Sequence, residues 1–226
     1  MKAGVLFSGG KDSTYALKLA RERLSVRCLI SVVSSNEESY MFHTPNIGIT
    51  RLQAESVGLP LVSRKTSGVK ERELADLRAA IREARQRYGI ECIVTGAVES
   101  VYQATRIQKI CDDLGLWCTN PLWKMDQEEL LRDIVRSGLD VMITGIFAYP
   151  LSRKWLGRKL NAKTIRELVA LRDRYQISPS GEGGEIETTV LDAPFFRKKI
   201  MITESEISAS GNSGIMDIKQ AELVKK

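Results

Sequence analysis

The stretch Ser8-Gly9-Gly10-Lys11-Asp12-Ser13 decides how the rest of this 226-residue chain reads. An apolar run at residues 3–7 precedes it, long enough only for a buried strand. Tyr15, Ala16, Leu19 and Ala20 follow at helical spacing. The glycines therefore fall where a strand turns into a helix. Such a turn aims backbone N–H groups and the positive end of a helix dipole at one point, which suits a phosphate. Two adjacent glycines let the backbone wrap an anion without a Cβ in the way. Ser8 and Ser13 add hydroxyls, and Lys11 adds a positive charge.

Two common phosphate loops are excluded. The Walker pattern wants a glycine six residues before its lysine and Ser or Thr after it, but Val5 and Asp12 stand there. The dinucleotide pattern G-x-G-x-x-G fails where Ser13 replaces the last glycine. The stretch resembles the Ser-Gly-Gly-x-Asp-Ser loop of the N-type ATP pyrophosphatases. That resemblance implies cleavage of ATP between its α and β phosphates and adenylation of a substrate.

Outward from the loop, apolar runs at residues 27–34, 59–63, 91–97 and 140–149 read as further strands. Between them lie helical patterns, clearest in Leu74, Leu77, Ile81, Ala84 and Tyr88, with Gly89 as the stop. Five strands alternating with helices predict an α/β fold with a five-stranded parallel, doubly wound sheet. Ligands of such sheets sit at the carboxyl ends of the strands. Ser34, which ends the second strand, His43, in the loop after it, and Gly96, near the end of the fourth, are therefore expected beside the nucleotide. Asp126 and Glu129 make a D-x-x-E helix start. In the last quarter, residues 199–208 and 215–223 read as a hairpin around Gly211-Asn212-Ser213-Gly214. The expected division is an ATP-binding pyrophosphatase domain at 1–150 and a small α+β substrate-binding domain at 151–226.

The 43% hydrophobic and 27% charged content excludes disordered and fibrous classes. No apolar run reaches the roughly 20 residues of a membrane span. The first strand begins at once and leaves no room for a signal peptide, so a cytoplasmic protein with no membrane partner is expected. Cys28, Cys92, Cys111 and Cys118 form no C-x-x-C pair and read as reduced core residues. The net charge of +6 is a mild excess that by itself selects no partner.

A second constellation lies near the C-terminus, Gly181-Glu182-Gly183-Gly184-Glu185-Ile186-Glu187-Thr188. A turn needs one or two glycines, not three among carboxylates. Clustered carboxylates repel unless a cation compensates, so this reads as a cation site. Between the two constellations stand Tyr40-Met41-Phe42-His43, the Tyr102-Gln103-x-x-Arg106 helix and Trp155-Leu156-Gly157-Arg158. In that order the whole set resembles the diphthine–ammonia ligase family, in its short, single-module form.

That resemblance implies a reaction. ATP adenylates the carboxylate of diphthine, a modified histidine of elongation factor 2, and ammonia displaces AMP to leave an amide. It assigns Ser8, Gly9, Gly10, Lys11, Asp12 and Ser13 to the pyrophosphate portion of ATP, and Asp12 also to Mg²⁺. Arg106 would neutralise charge at the α-phosphate. Tyr102, Gln103, Trp155, Glu182, Gly183, Gly184, Glu185 and Glu187 would meet the substrate, with the carboxylates and the Trp155 face suited to its trimethylammonium group or to ammonium. Lys11, Asp12, Arg106, Glu185 and Glu187 would carry the chemistry. Nucleic acid is not the expected partner, and a homodimer is left open. The alternative is a transfer RNA-modifying pyrophosphatase of the same fold, or a nucleotide-binding regulator without chemistry.

Overall fold

A computed structural model describes residues 1–34, 46–69 and 71–226. Five strands form a parallel sheet: β1 Lys2–Leu6, β2 Ser25–Ser34, β3 Leu61–Thr66, β4 Cys92–Val94 and β5 Trp117–Thr119, in the order β3-β2-β1-β4-β5. Their sequences explain why the sheet is covered on both faces. Along β1, Ala3 and Val5 point to one side, while Leu6 points to the other. Gly4 has no room for a side chain there, since a Cβ would come 2.9 Å from Ile90 Cδ1. Along β2, Cys28, Ile30 and Val32 face the second side. Runs that are apolar at every position are what a parallel sheet buried on both faces requires.

Helices α3 (Glu73–Tyr88) and α4 (Val101–Asp113) cover that second side with Leu77, Ile81, Ile107 and Ile110. Helix α1 (Lys11–Arg23) covers the other side through Tyr15, Ala16, Leu17 and Ala20. Helix α2 (Thr50–Val57) packs there too. Gly89 closes α3 in a left-handed conformation, φ +60°, as its position after the last periodic residue predicts.

The strand expected as the fifth of this sheet is placed elsewhere. Residues Asp140–Phe147 form β6, which pairs antiparallel with β7 (Ile186–Asp192) and with β9 (Ser213–Val224). With β8 (Lys199–Ser210) they make a second sheet in the order β7-β6-β9-β8. Its outer hairpin turns at Gly211, φ +57°, where the glycine-rich stretch places it. The true fifth parallel strand, β5, has three residues and pairs Trp117 with Cys92. A buried apolar run of eight residues reads the same in a parallel and an antiparallel sheet. The last strand of the parallel sheet thus ends at Thr119 and the first of the antiparallel sheet begins at Asp140.

Helices α5 (Gln127–Arg136) and α6 (Ala162–Tyr175) pack on each other. Asp126 caps α5, accepting a hydrogen bond from Glu129 N at 2.9 Å. One apolar cluster runs from Ala3, Val5 and Leu17 through Leu130 to Val141, Ile186 and Val190, so the two sheets share a core. Among the described residues no helix is long and apolar enough to cross a membrane.

Candidate functional site

The strand order reverses between β1 and β4, the switch point at whose carboxyl side such sheets bind ligands. A cavity of about 520 Å³ opens there, lined by Ser8, Asp12, Ser13, Gly96, Glu182 and Glu187, among others. That volume lies in the range of small-molecule sites. Its inner wall is apolar, with Ile30, Val32, Leu77 and Ile107. Its polar lining comes from the Ser8–Ser13 loop and the glycine–glutamate loop.

The first loop is held by the second sheet. Gly9 has φ +80°, a left-handed turn that glycine adopts without strain. Its carbonyl accepts from Val190 N at 3.0 Å and from Gln53 Nε2 at 2.9 Å. The same Gln53 nitrogen donates to Val190 O at 2.8 Å, so a fully buried amide clamps the loop to β7. Lys11 N donates to Thr188 Oγ1 at 3.1 Å. Gly96 has the converse task. A Cβ there would lie 2.8 Å from Ser13 N and 2.9 Å from Asp12 C, so only glycine lets the end of β4 approach the start of α1.

Within the loop the donors are lightly engaged. Ser8 N donates to Ser13 Oγ at 3.3 Å and Gly10 N to Ser8 Oγ at 3.4 Å. Bonds this long are easily exchanged for those to an anion. Lys11 is 3% exposed, and its Nζ pairs with Asp12 Oδ2 at 2.7 Å. Asp12 Oδ1 is buried with no partner among the described residues. Asp12 stands in the first turn of α1 rather than in a loop. Among the described residues no three Asp, Glu, His or Cys side chains converge as a metal cage. A divalent cation would thus take Asp12 as a protein ligand and need further oxygens from a phosphate.

The glycine–glutamate loop divides its carboxylates. Glu185 serves the loop itself, accepting from Ser178 N at 2.8 Å and Gly183 N at 2.9 Å, and it does not line the cavity. The glycines make this possible. A Cβ on Gly183 would sit 2.6 Å from Glu185 Oε1, and one on Gly181, φ +81°, 2.7 Å from Ile186. Gly184 meets nothing but sits at φ +84°, so each of the three glycines has a structural account, two by close approach and one by its left-handed backbone. Glu182 and Glu187 do line the cavity, as do Gly183 and Gly184. Burial pushes the Glu182 carboxyl up, with Asp12 adding to it, while its Oε2 accepts from Glu99 N at 3.1 Å. Burial pushes Glu187 up to about 7, with Lys11 opposing and Asp12 adding.

Other expected residues lie apart. Arg106 does not line the cavity; its guanidinium pairs with Glu71 at 2.7 Å and lies 3.5 Å from the centre of the Tyr102 ring. Tyr102 donates to the same Glu71 carboxylate at 3.2 Å. Gln103 does line the cavity. Trp155 is buried in the shared core at 8% exposure, with Arg158 over its ring at 4.2 Å. Ser34 ends β2, paired with Thr66, and is absent from the cavity wall. His43 and its neighbours Tyr40, Met41 and Phe42 lie outside the described residues. Gln53, Thr95 and Glu99 went unread. A glutamine in a short amphipathic helix carries no signal of its own.

Residues 1–118 match the model of the diphthamide synthase N-terminal domain, and residues 126–224 that of its C-terminal domain. A protein of Schizosaccharomyces pombe named diphthine–ammonia ligase is 34% identical over all of this chain, which spans 40% of that relative's length. A human protein of the same name is 33% identical over 92% of this chain and 85% of its own. Among solved structures, a predicted subunit of a tRNA methyltransferase from Methanocaldococcus jannaschii aligns over 86% of this chain and 98% of its own, at 17% identity and a TM-score of 0.44, too weak a likeness to argue from. Both family models fit consecutive halves of one chain, and relatives a third identical run through the loop, the cavity and the second sheet alike: the chain belongs to the diphthamide synthase family.

Proposed function

We propose that this chain is an ATP-dependent ligase that turns the diphthine carboxylate of elongation factor 2 into its amide, with ammonia as nitrogen donor and AMP and pyrophosphate as products. The curated relatives carry the name of that reaction. The observation that carries the reading here is the shared cavity. The Ser8–Ser13 loop, with the donors a phosphate needs, and two carboxylates suited to cations line one cavity of about 520 Å³.

The chemistry follows from that shared lining. A carboxylate is a poor acyl donor because oxide would have to leave. Transfer of the AMP portion to it supplies a good leaving group. Ser8, Gly9, Gly10, Lys11 and Ser13 would hold the departing pyrophosphate by N–H, hydroxyl and ammonium donors. The base would rest against Ile30, Val32 and Leu77. Mg²⁺, held by Asp12 through its unpartnered oxygen, would supply charge neutralisation between the phosphates. ATP and a carboxylate repel each other, and Lys11 offsets part of that repulsion. Glu182 and Glu187 would worsen it unless something positive arrives with the acceptor. Ammonium and the trimethylammonium group of diphthine are both positive. A transfer RNA acceptor would bring more negative charge to the same wall, which disfavours that alternative.

The test is direct. Elongation factor 2 purified from cells lacking this protein is incubated with it, ATP, Mg²⁺ and ammonium, and the modified histidine is weighed by mass spectrometry. A carboxylate converted to an amide, with AMP rather than ADP as the spent nucleotide, is the expected result. An unchanged histidine, or ADP as the product, overturns the reading.

A further inference from the structure

Trp155 is buried beneath Arg158 and offers no open face to a ligand. The second sheet places another aromatic beside the carboxylates. Gly145 of β6 is paired with Glu187 of β7, and Phe147 lies two residues further along β6. Side chains two apart on a strand share a face, and diagonal cross-strand neighbours are within reach of aromatic rings. Gly145 shows how close they come. A Cβ built on it would meet the Phe147 ring at 2.8 and 3.1 Å and Glu187 Cβ at 2.9 Å. The bare glycine therefore lets the ring and the carboxylate stem share one spot. Phe147 remains 37% exposed, which is uncommon for a phenylalanine with a packed core nearby, and it stands outside the cavity lining that Glu187 belongs to. Among the described residues the Glu187 carboxylate accepts no hydrogen bond and makes no ion pair, although it stands within the field of Lys11 and Asp12.

We propose that Phe147 and Glu187, brought together over Gly145, form the seat of a bulky, weakly hydrated organic cation on the acceptor substrate. This deepens the proposed function and rests on it for the identity of the acceptor, a trimethylammonium-bearing carboxylate. An aromatic ring beside the stem of a carboxylate side chain matches such a cation in two ways. The ring quadrupole attracts the charge, and the methyl groups bury apolar surface against the ring. A bare ammonium ion would gain more from a ring of hydrogen-bond acceptors and has no methyl groups to bury. Glu182, whose carboxylate already accepts from Glu99 N, is left for the nitrogen donor. The fixed spacing along the strand would hold the substrate carboxylate at a set distance from its cation, so Phe147 is a specificity residue and not a participant in bond making.

The test uses a probe pair. Tetramethylammonium is titrated into the full chain carrying carbon-13 in its phenylalanine rings, alongside neopentane-shaped neutral tert-butanol at equal concentration. The Phe147 ring signal is expected to shift with the cation several-fold more than with the alcohol. Phe147→Leu should lose that preference, and Phe147→Tyr should keep it. Equal response to both probes, no response at Phe147, or a preference that persists in Phe147→Leu would overturn the inference. In the amidation assay, Phe147→Leu should raise KM for the protein acceptor about tenfold while KM for ATP stays put. If the wild-type chain seats the cation yet amidates nothing, the proposed function falls and the seat stands. If it amidates equally well without the ring, the seat falls and the function stands.

Discussion

Gly9 and Gly10 look interchangeable in the sequence, but the structure gives them unequal tasks. Gly9 sits at φ +80°, and a methyl group there would run into the side-chain amide of Gln53, whose carbon would lie only 3.0 Å away. Gly10 has φ −79°, and a methyl group would meet Thr188 O at 3.2 Å, a contact a small shift relieves. For Gly9→Ala the left-handed backbone costs about 1–2 kcal/mol. Moving Gln53 breaks its two bonds to Gly9 O and Val190 O, and a buried donor left unpaired costs about 1–3 kcal/mol. The lost flexibility of the unfolded chain returns under about 1 kcal/mol. The net is roughly 3 kcal/mol, or roughly 6–12 °C in Tm for a chain of this size. Gly10→Ala should cost less than about 1 kcal/mol by the same reasoning. Circular dichroism melts of the two variants measure this, and nucleotide titration should show weakened ATP binding for Gly9→Ala in particular. Equal melting points for the two variants, or a Gly9→Ala melt within a degree or two of the parent chain, would refute the reasoning.

Three further outcomes are expected. Asp12→Asn should lower pyrophosphate release by about a hundredfold or more, as loss of a charged group at a reacting phosphate does, while the melting point moves only a few degrees; unchanged turnover would exclude the role given to Asp12. Glu187 has a folded pKa of about 7, above its unfolded value, so its protonated form is favoured and its contribution to stability is full below pH 4.5 and lost as pH rises through 7. Glu187→Gln should therefore gain stability relative to the parent between pH 5 and pH 8 in urea titrations, and a constant difference across that range would count against the burial of this carboxylate. Limiting iodoacetamide should label Cys118 first, because it is the one half-buried thiol of the four and its neighbour Cys111 holds its pKa down, whereas burial pushes Cys28 up to about 12 and Cys92 to about 11; peptide mapping that finds Cys28 labelled first would contradict this.

What could be read from the chain follows from how local each signal is. The Ser8–Ser13 loop is legible because turn, donors and charge are all consecutive, and the parallel sheet is legible because strands β1 to β4 announce themselves as apolar runs. β5 is not, since three residues carry no period, and β6 reads as its substitute because burial on both faces erases the alternation that marks an antiparallel strand. The roles of Gln53 and Phe147 are long-range, one bridging 137 residues to Val190 and the other lying diagonally across a strand pair. Neither residue type is unusual where it stands. The glycine–glutamate stretch is half legible: its composition singles it out, but only the fold separates Glu185, spent on its own loop, from Glu182 and Glu187, which line the cavity. This division is itself mechanistic. A loop that wraps around its own carboxylate is stiff, and a stiff loop holds the two remaining carboxylates at fixed range from Lys11 and Asp12. Pre-set charge of this kind discriminates by repulsion as well as attraction. Under the proposed function, an acceptor without a positive group would leave Glu187 uncompensated beside ATP, so the same geometry would favour a cationic acid over a plain one.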